Sequence, residues 1–183
     1  MKKTNNMKKV LVLGCCGAGK STFSKKLNSI LKLPLIHLDR YYHKPNWKEP
    51  KKDVWEKIVH DLLLKPSWIM DGNFSETLDI RIKSADTIIY LDYPTLKCFW
   101  RVIKRLFKYH GIARSDMAPG CKEQFDLEFL HFVLMFNSKN RTNILEILDS
   151  AKENKQVYIF KSDKDADLFL LKNRNSRTGL SKH

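Results

Sequence analysis

The chain has 183 residues, the length of one domain, and 43% apolar with 11% aromatic residues is enough for a packed core, which excludes wholesale disorder. Thirty-four Lys and Arg against 20 Asp and Glu give a net charge of +14. Lys2, Lys3, Lys8, Lys9, Lys172, Arg174, Arg177 and Lys182 supply eight of those charges at the two ends, and Lys97, Arg101, Lys104, Arg105, Lys108 and Arg114 form an acid-free internal run. That pattern points to a polyanion, either a phosphate-rich small ligand or nucleic acid.

In chain order, Val10–Leu13 is an apolar run that stops at Gly14, as a strand buried on both faces reads. Residues 20–31 follow with Phe23, Leu27, Ile30 and Leu31 at helical spacing. Leu35–Leu38 reads as a second strand and 44–52 as a loop, and Asp53 is placed to cap a helix bearing Val54, Ile58 and Leu62. Trp68–Met70 and Thr87–Leu91 are further strands, with helix over 75–83 between them. Pro94 suits the first turn of a basic helix running to Tyr109, and Gly111–Gly120 breaks it. Helices over 126–137 and 142–149, a strand at Val157–Phe160 and a helix over 163–171 complete the pattern, with a polar, disordered tail from 173 to 183. Alternating short strands and helices predict an α/β fold with a five-stranded parallel sheet between helical layers, and the glycine-rich phosphate loop described below makes this the three-layer P-loop NTPase fold with a helical lid.

No run approaches the ~18 apolar residues of a membrane span, and the lysine-rich start has no apolar leader pattern. Cys15, Cys16, Cys98 and Cys121 match neither a disulfide framework nor metal-ligand spacing, so reduced thiols in a cytoplasmic protein are expected.

Directly after the first strand stands Gly14-Cys15-Cys16-Gly17-Ala18-Gly19-Lys20-Ser21-Thr22, which matches the Walker A phosphate loop. Its glycines let successive backbone N–H groups turn inward around phosphate, and the following helix adds its positive end. Lys20 reaches the outer phosphate oxygens, and the Ser21 hydroxyl is a hard ligand for Mg²⁺. Cys15 and Cys16 fill variable positions where small size matters most.

The early phosphate loop, with Leu38-Asp39, Ile69–Asn73 and Tyr90–Pro94 at strand ends, resembles the small bacterial P-loop proteins called DNA topology modulation proteins, relatives of adenylate kinase. The likeness runs from about Lys9 to Leu171 and is most specific at His37–Asp39, Trp68–Asn73 with Arg81, Ala85-Asp86, and Asp116–Ala118 with Gly120-Cys121. It implies phosphoryl transfer from ATP with Mg²⁺ to a small acceptor, a nucleotide or nucleoside. It also implies Asp71 beside Ser21 in the metal shell, and a lid over about 97–141 whose Arg101 and Arg105 close on the transferring group. The family name implies a link to DNA, so a DNA-associated ATPase that holds non-specific nucleic acid on its tails and basic helix is the alternative.

Asp39 either orients an acceptor hydroxyl, as the corresponding aspartate of nucleoside and shikimate kinases does, or caps a turn. Adenylate kinase follows its Asp-Gly with an arginine for the acceptor phosphate. Here Asn73 stands there and the next arginine is Arg81, so Asn73 and Arg81 are the candidate acceptor contacts, or the acceptor is not AMP. Arg114 and Arg141 are further candidates for the closing surface. Asp92 is expected to fix a strand-to-helix turn, and His37 to be a satisfied histidine at the core edge.

Overall fold

The computed structural model describes residues 7–112 and 114–178. Five parallel strands stand in the order β2-β3-β1-β4-β5: β1 (Lys9–Gly14), β2 (Leu35–His37), β3 (Trp68–Asp71), β4 (Thr87–Leu91) and β5 (Gln156–Phe160). Val10–Leu13, Trp68–Met70 and Ile88–Leu91 are almost wholly buried, because these three central strands have helices on both faces and no polar side to show. The fold is the expected three-layer α/β arrangement.

The flanking helices are α1 (Lys20–Leu31), the one-turn α2 (Asp39–Tyr42), α3 (Lys52–Leu63), α4 (Leu78–Ser84), α5 (Thr95–Tyr109), α6 (Leu127–Ala151) and α7 (Asp163–Thr178). None is long and apolar enough to cross a membrane among the described residues. All four cysteines are free thiols.

Four local expectations are corrected. Lys51, not Asp53, precedes α3, and Asp53 sits in the first turn with no side-chain capping bond. Pro94 likewise precedes α5 rather than opening its first turn. The two helices expected over 126–137 and 142–149 are one 25-residue helix, opened by Asp126, whose carboxylate accepts from the backbone N–H groups of Glu128 and Phe129. The polar stretch between them is not a break, because Ser138 and Lys139 lie on the solvent side while Phe136 and Ile144 bury the other. Helix α7 continues past Leu171 to Thr178 with Asn173 buried, so the disordered tail expected from 173 does not begin there. Residues 1–6 and 179–183, with their basic side chains, lie outside the described residues.

The connection 110–126 between α5 and α6 folds back on itself. Gly111 N–H donates to the Glu123 carbonyl and Glu123 N–H to the Ile112 carbonyl, at 2.9 and 3.1 Å. Met117, Ala118 and Cys121 then form a small apolar cluster of their own with Trp47, separate from the main core.

Candidate active site

The C-terminal ends of β1 to β4 deliver Gly14, His37 followed by Asp39, Asp71, and Asp92 to one edge of the sheet. A cleft of about 460 Å³ opens there. Cys16–Phe23 form its floor and Asp39 stands at one side. Arg101 and Arg105 of α5 reach in from above with Arg114 and Asp116 of the 110–126 connection, and Tyr93, Asp163, Ala166 and Leu170 close the far end. The phosphate loop, Asp39 and the two α5 arginines thus line one cleft.

The loop has the backbone that an anion cradle requires. Gly17 (φ +82°) and Gly19 (φ +93°) adopt the left-handed conformation, and α1 begins at once with Lys20. A Cβ at residue 17 would meet the Cys98 carbonyl oxygen at 2.2 Å, so only glycine fits between the loop and α5. Lys20 Nζ folds back on its own loop and donates to the carbonyls of Gly14 at 2.8 Å and Cys15 at 3.2 Å. The Cys15 side chain is buried away from the cleft, against Cys98 and the Val133 carbonyl, while Cys16 lines it. The bond with Cys98, then burial, pushes the Cys15 thiol far above its ordinary value, so it stays protonated.

Burial pushes the Asp39 carboxyl above the usual carboxylate range, Lys20 pulls it back, and nearby Asp71 pushes it up again. Asp71 is 2% exposed, and its two oxygens lie 3.0 and 2.8 Å from His37 Nδ1 across the β2–β3 pair. His37 is thus a satisfied histidine, as expected, but its partner is the carboxylate assigned to the metal shell. The Asp71 side chain is not among those lining the cleft.

Arg81 does not face an acceptor in this structure, contrary to expectation. It is fully buried, and its guanidinium donates to the carbonyls of Gly72, Asn73, Phe74 and Thr77 and to the Thr77 hydroxyl. It shapes the turn after β3 from inside. Asn73 also holds the turn, its side-chain oxygen lying 3.4 Å from the Gly14 N–H, and it is not a cleft-lining residue.

Arg101 pairs with Asp163 of α7 at 2.6 Å and lies over the Tyr93 ring, while Lys97 pairs with the same Asp163 at 2.8 Å. Arg105 and Arg114 flank the buried Glu123 carboxylate as ion pairs, at 3.2 and 2.5 Å, without aligned hydrogen bonds. Burial, then the Arg114 charge, pulls Arg105 below its ordinary value against the pull of Glu123. Arg141 leaves the closing surface altogether: it forms a two-pronged pair with Asp92, both contacts at 2.8 Å. Asp92 so ties the strand-to-helix turn to α6.

Sequence reasoning gave no role to Asp116, Glu123 or Asp163. Asp116 is 7% exposed, pairs with Arg114 at 2.8 Å and lines the cleft with Ser21. Burial pushes its carboxyl up, but Arg114, with the Ser21 hydroxyl and Lys25, brings it below the usual range. The preceding Ser115 accepts from Lys25 Nζ at 2.9 Å. Ser21, Asp39 and Asp116 are hard oxygen donors around one cleft beside Lys20, a set that suits Mg²⁺ bound with phosphate.

No family model matches the chain, and no curated protein matches it significantly. Solved structures do. A shikimate kinase from Bacteroides thetaiotaomicron matches 95% of this chain and 99% of its own, at TM-score 0.58 and 16% identity. A shikimate kinase from Acinetobacter baumannii, in complex with shikimate, matches 100% and 99%, at TM-score 0.57 and 15% identity. A deoxyadenosine kinase from M. mycoides matches 89% and 97%, at TM-score 0.47 and 16% identity. The fold is that of the small P-loop kinases.

Proposed function

We propose that this chain transfers the γ-phosphoryl group of ATP, bound with Mg²⁺, to a hydroxyl of a small acceptor. The observation that carries this reading is the single cleft in which a Walker loop, its Lys20 and Ser21, the Asp39 carboxylate and the arginines 101, 105 and 114 converge. Backbone N–H groups of residues 16–22 and Lys20 hold the phosphates, with Lys20 leaving its loop carbonyls for phosphate oxygens. Ser21 would hold the Mg²⁺ that accompanies ATP, and the ion would supply charge neutralisation at those oxygens. Asp39 orients the acceptor hydroxyl and takes its proton, which its raised proton affinity favours over an ordinary carboxylate. Arg105 and Arg114, whose pairs with Glu123 are held by charge rather than by aligned bonds, swing onto the transferring group as the 110–126 segment closes as a lid. Arg101 and Tyr93 flank the place for the base.

The acceptor we favour is uncharged at its reacting end, as a nucleoside or another small hydroxyl compound is. A monophosphate acceptor needs a fixed cation after the β3 aspartate, and Arg81, the nearest candidate, has its donors on backbone carbonyls. The resemblance to DNA topology modulation proteins adds a rival, a nucleic-acid-associated ATPase. Its support is the outer side of α5, where exposed Trp100 and Phe107 stand beside Lys104 and Lys108.

An acceptor screen with γ-labelled ATP, beside phosphate release with and without single-stranded DNA, separates the two. The expected result is label transfer to neutral hydroxyl compounds and little or none to nucleoside monophosphates. DNA-stimulated release with no acceptor found would overturn the kinase reading.

A further inference from the structure

Arg105 comes from α5 and Arg114 from the 110–126 segment, yet one buried side chain brings the two guanidinium groups together. Glu123 is 4% exposed and does not line the cleft, whereas both arginines do. Its Oε1 lies 3.2 Å from Nε of Arg105 and 2.5 Å from Nε of Arg114. None of these three atoms has an aligned hydrogen bond. The fold of the segment does not need the carboxylate. The Glu123 backbone alone makes the bonds, with Gly111 and Ile112, that close the segment on itself. A buried carboxylate kept for stability should meet aligned donors, because the attraction of a poorly aligned pair does not offset the loss of water. Held by charge at Nε, each guanidinium can turn about that contact and keep Nη groups for a second anion. Arg114 already commits one of them, Nη1, to Asp116 Oδ2. Two neighbouring cations repel unless a negative charge offsets them, and Glu123 supplies that charge from outside the cleft.

We infer that Glu123 is the positioning residue of the 110–126 segment: it holds Arg105 and Arg114 side by side at the cleft so that both reach the third phosphate of the nucleotide. The inference rests on the phosphotransfer reading and goes beyond it, since that reading needs the arginines but not their shared carboxylate. Glu123 touches neither nucleotide nor acceptor and acts only through the two arginines. Its effect should therefore fall on a ligand that has a γ-phosphate. A ligand that ends at the β-phosphate is held by the phosphate loop and Lys20 and should be spared. Through this one carboxylate the site tells ATP from ADP.

The test compares a non-hydrolysable ATP analogue with ADP, each with Mg²⁺, by calorimetry on the full-length protein, beside a thermal melt of every variant. Glu123→Gln keeps the size of the side chain and the backbone bonds and removes the charge. It should weaken the analogue ~10–100-fold, the scale for losing an outer group that orients a binding one, and leave ADP affinity nearly unchanged. Glu123→Asp holds the charge short of the arginines and should show the same selective loss in smaller measure. It is the variant to read if Glu123→Gln fails to fold. In the protein carrying both Arg105→Gln and Arg114→Gln, adding Glu123→Gln should change neither affinity further. Parallel losses for the two ligands would mark Glu123 as a structural group and overturn the inference. So would a folded variant with no selective loss, or a further loss once the arginines are gone. An unaltered protein that binds analogue and ADP equally also overturns it, while transfer of label to an acceptor would keep the kinase reading intact. An unaltered protein that binds neither nucleotide defeats both.

Discussion

The floor of the cleft, built on the phosphate loop 14–22, and its roof, residues 110–126, are held by different kinds of contact. The floor is a turn between a buried central strand and a twelve-residue helix, and its shape comes from left-handed glycines and neighbouring backbone. Among its described residues the roof has no strand or helix of its own. It is held by the ion pairs of Arg105 and Arg114 with Glu123, a lysine-to-serine bond and the small cluster around Trp47. A cradle for a constant group, triphosphate, is best built from fixed backbone dipoles. A cover that must open and close is built from contacts that each break at small cost.

Substitutions on each side should therefore fail differently. Lys20→Ala on the floor should lower turnover ~10²–10³-fold with no loss of folding, since a fixed cation at the developing charge is removed and nothing nearby replaces it. Steady-state kinetics beside a thermal melt checks both halves, and unchanged turnover would break the contrast.

At the floor's edge, Asp39 sharpens it through pH. Its carboxyl is raised by burial, so turnover should climb with pH through a midpoint above the ordinary ~3.9, and Asp39→Asn should remove that limb. Lys20 lowers the midpoint, so residual activity in Lys20→Ala should titrate at higher pH still. The sign for stability is opposite. A carboxyl whose folded pKa lies above its unfolded one favours the folded state less as pH rises from the unfolded to the folded value. Asp39→Asn should accordingly raise the melting temperature at neutral pH, which calorimetry measures.

The smallest effect is expected in the roof. Trp47→Ala removes one hydrogen bond and the partner of Met117, Ala118 and Cys121, and it should leave global stability nearly unchanged. Its readout is faster proteolytic cleavage within 110–126, with KM raised more than kcat is lowered. A large drop in melting temperature would mean that the roof is part of the core after all.

The same division explains what was legible in the sequence. Strand and loop identities on the floor are local facts: Val10–Gly14 reads as a buried strand and Gly14–Ser21 as a phosphate loop because neighbours in the chain are neighbours in space. The parallel five-stranded sheet followed from the alternation of such segments. Arg81 illustrates the opposite case. An arginine eight residues after Asn73 looks the same in sequence whether it meets an acceptor or the carbonyls of its own turn, and only the packing of α4 beneath the turn decides. The His37–Asp71 pair depends on the β2–β3 register, and Asp116 on a segment folded across the chain from Ser21. Helix α6 reads as two helices in the sequence because a polar stretch around Ser138 and Lys139 resembles a loop when the burial of its other face is unseen.

The close approach of α5 to the phosphate loop has a mechanical consequence. With the Cys98 carbonyl filling the space where a side chain at residue 17 would stand, helix and loop mesh like a tooth in a notch, and α5 cannot slide along its axis without pushing the loop ahead of it. Helix α6 is braced in turn by Arg141 on Asp92. Both posts that carry the roof are thus anchored to the sheet edge, and the bending required to admit and release ligands falls on the seventeen residues strung between them.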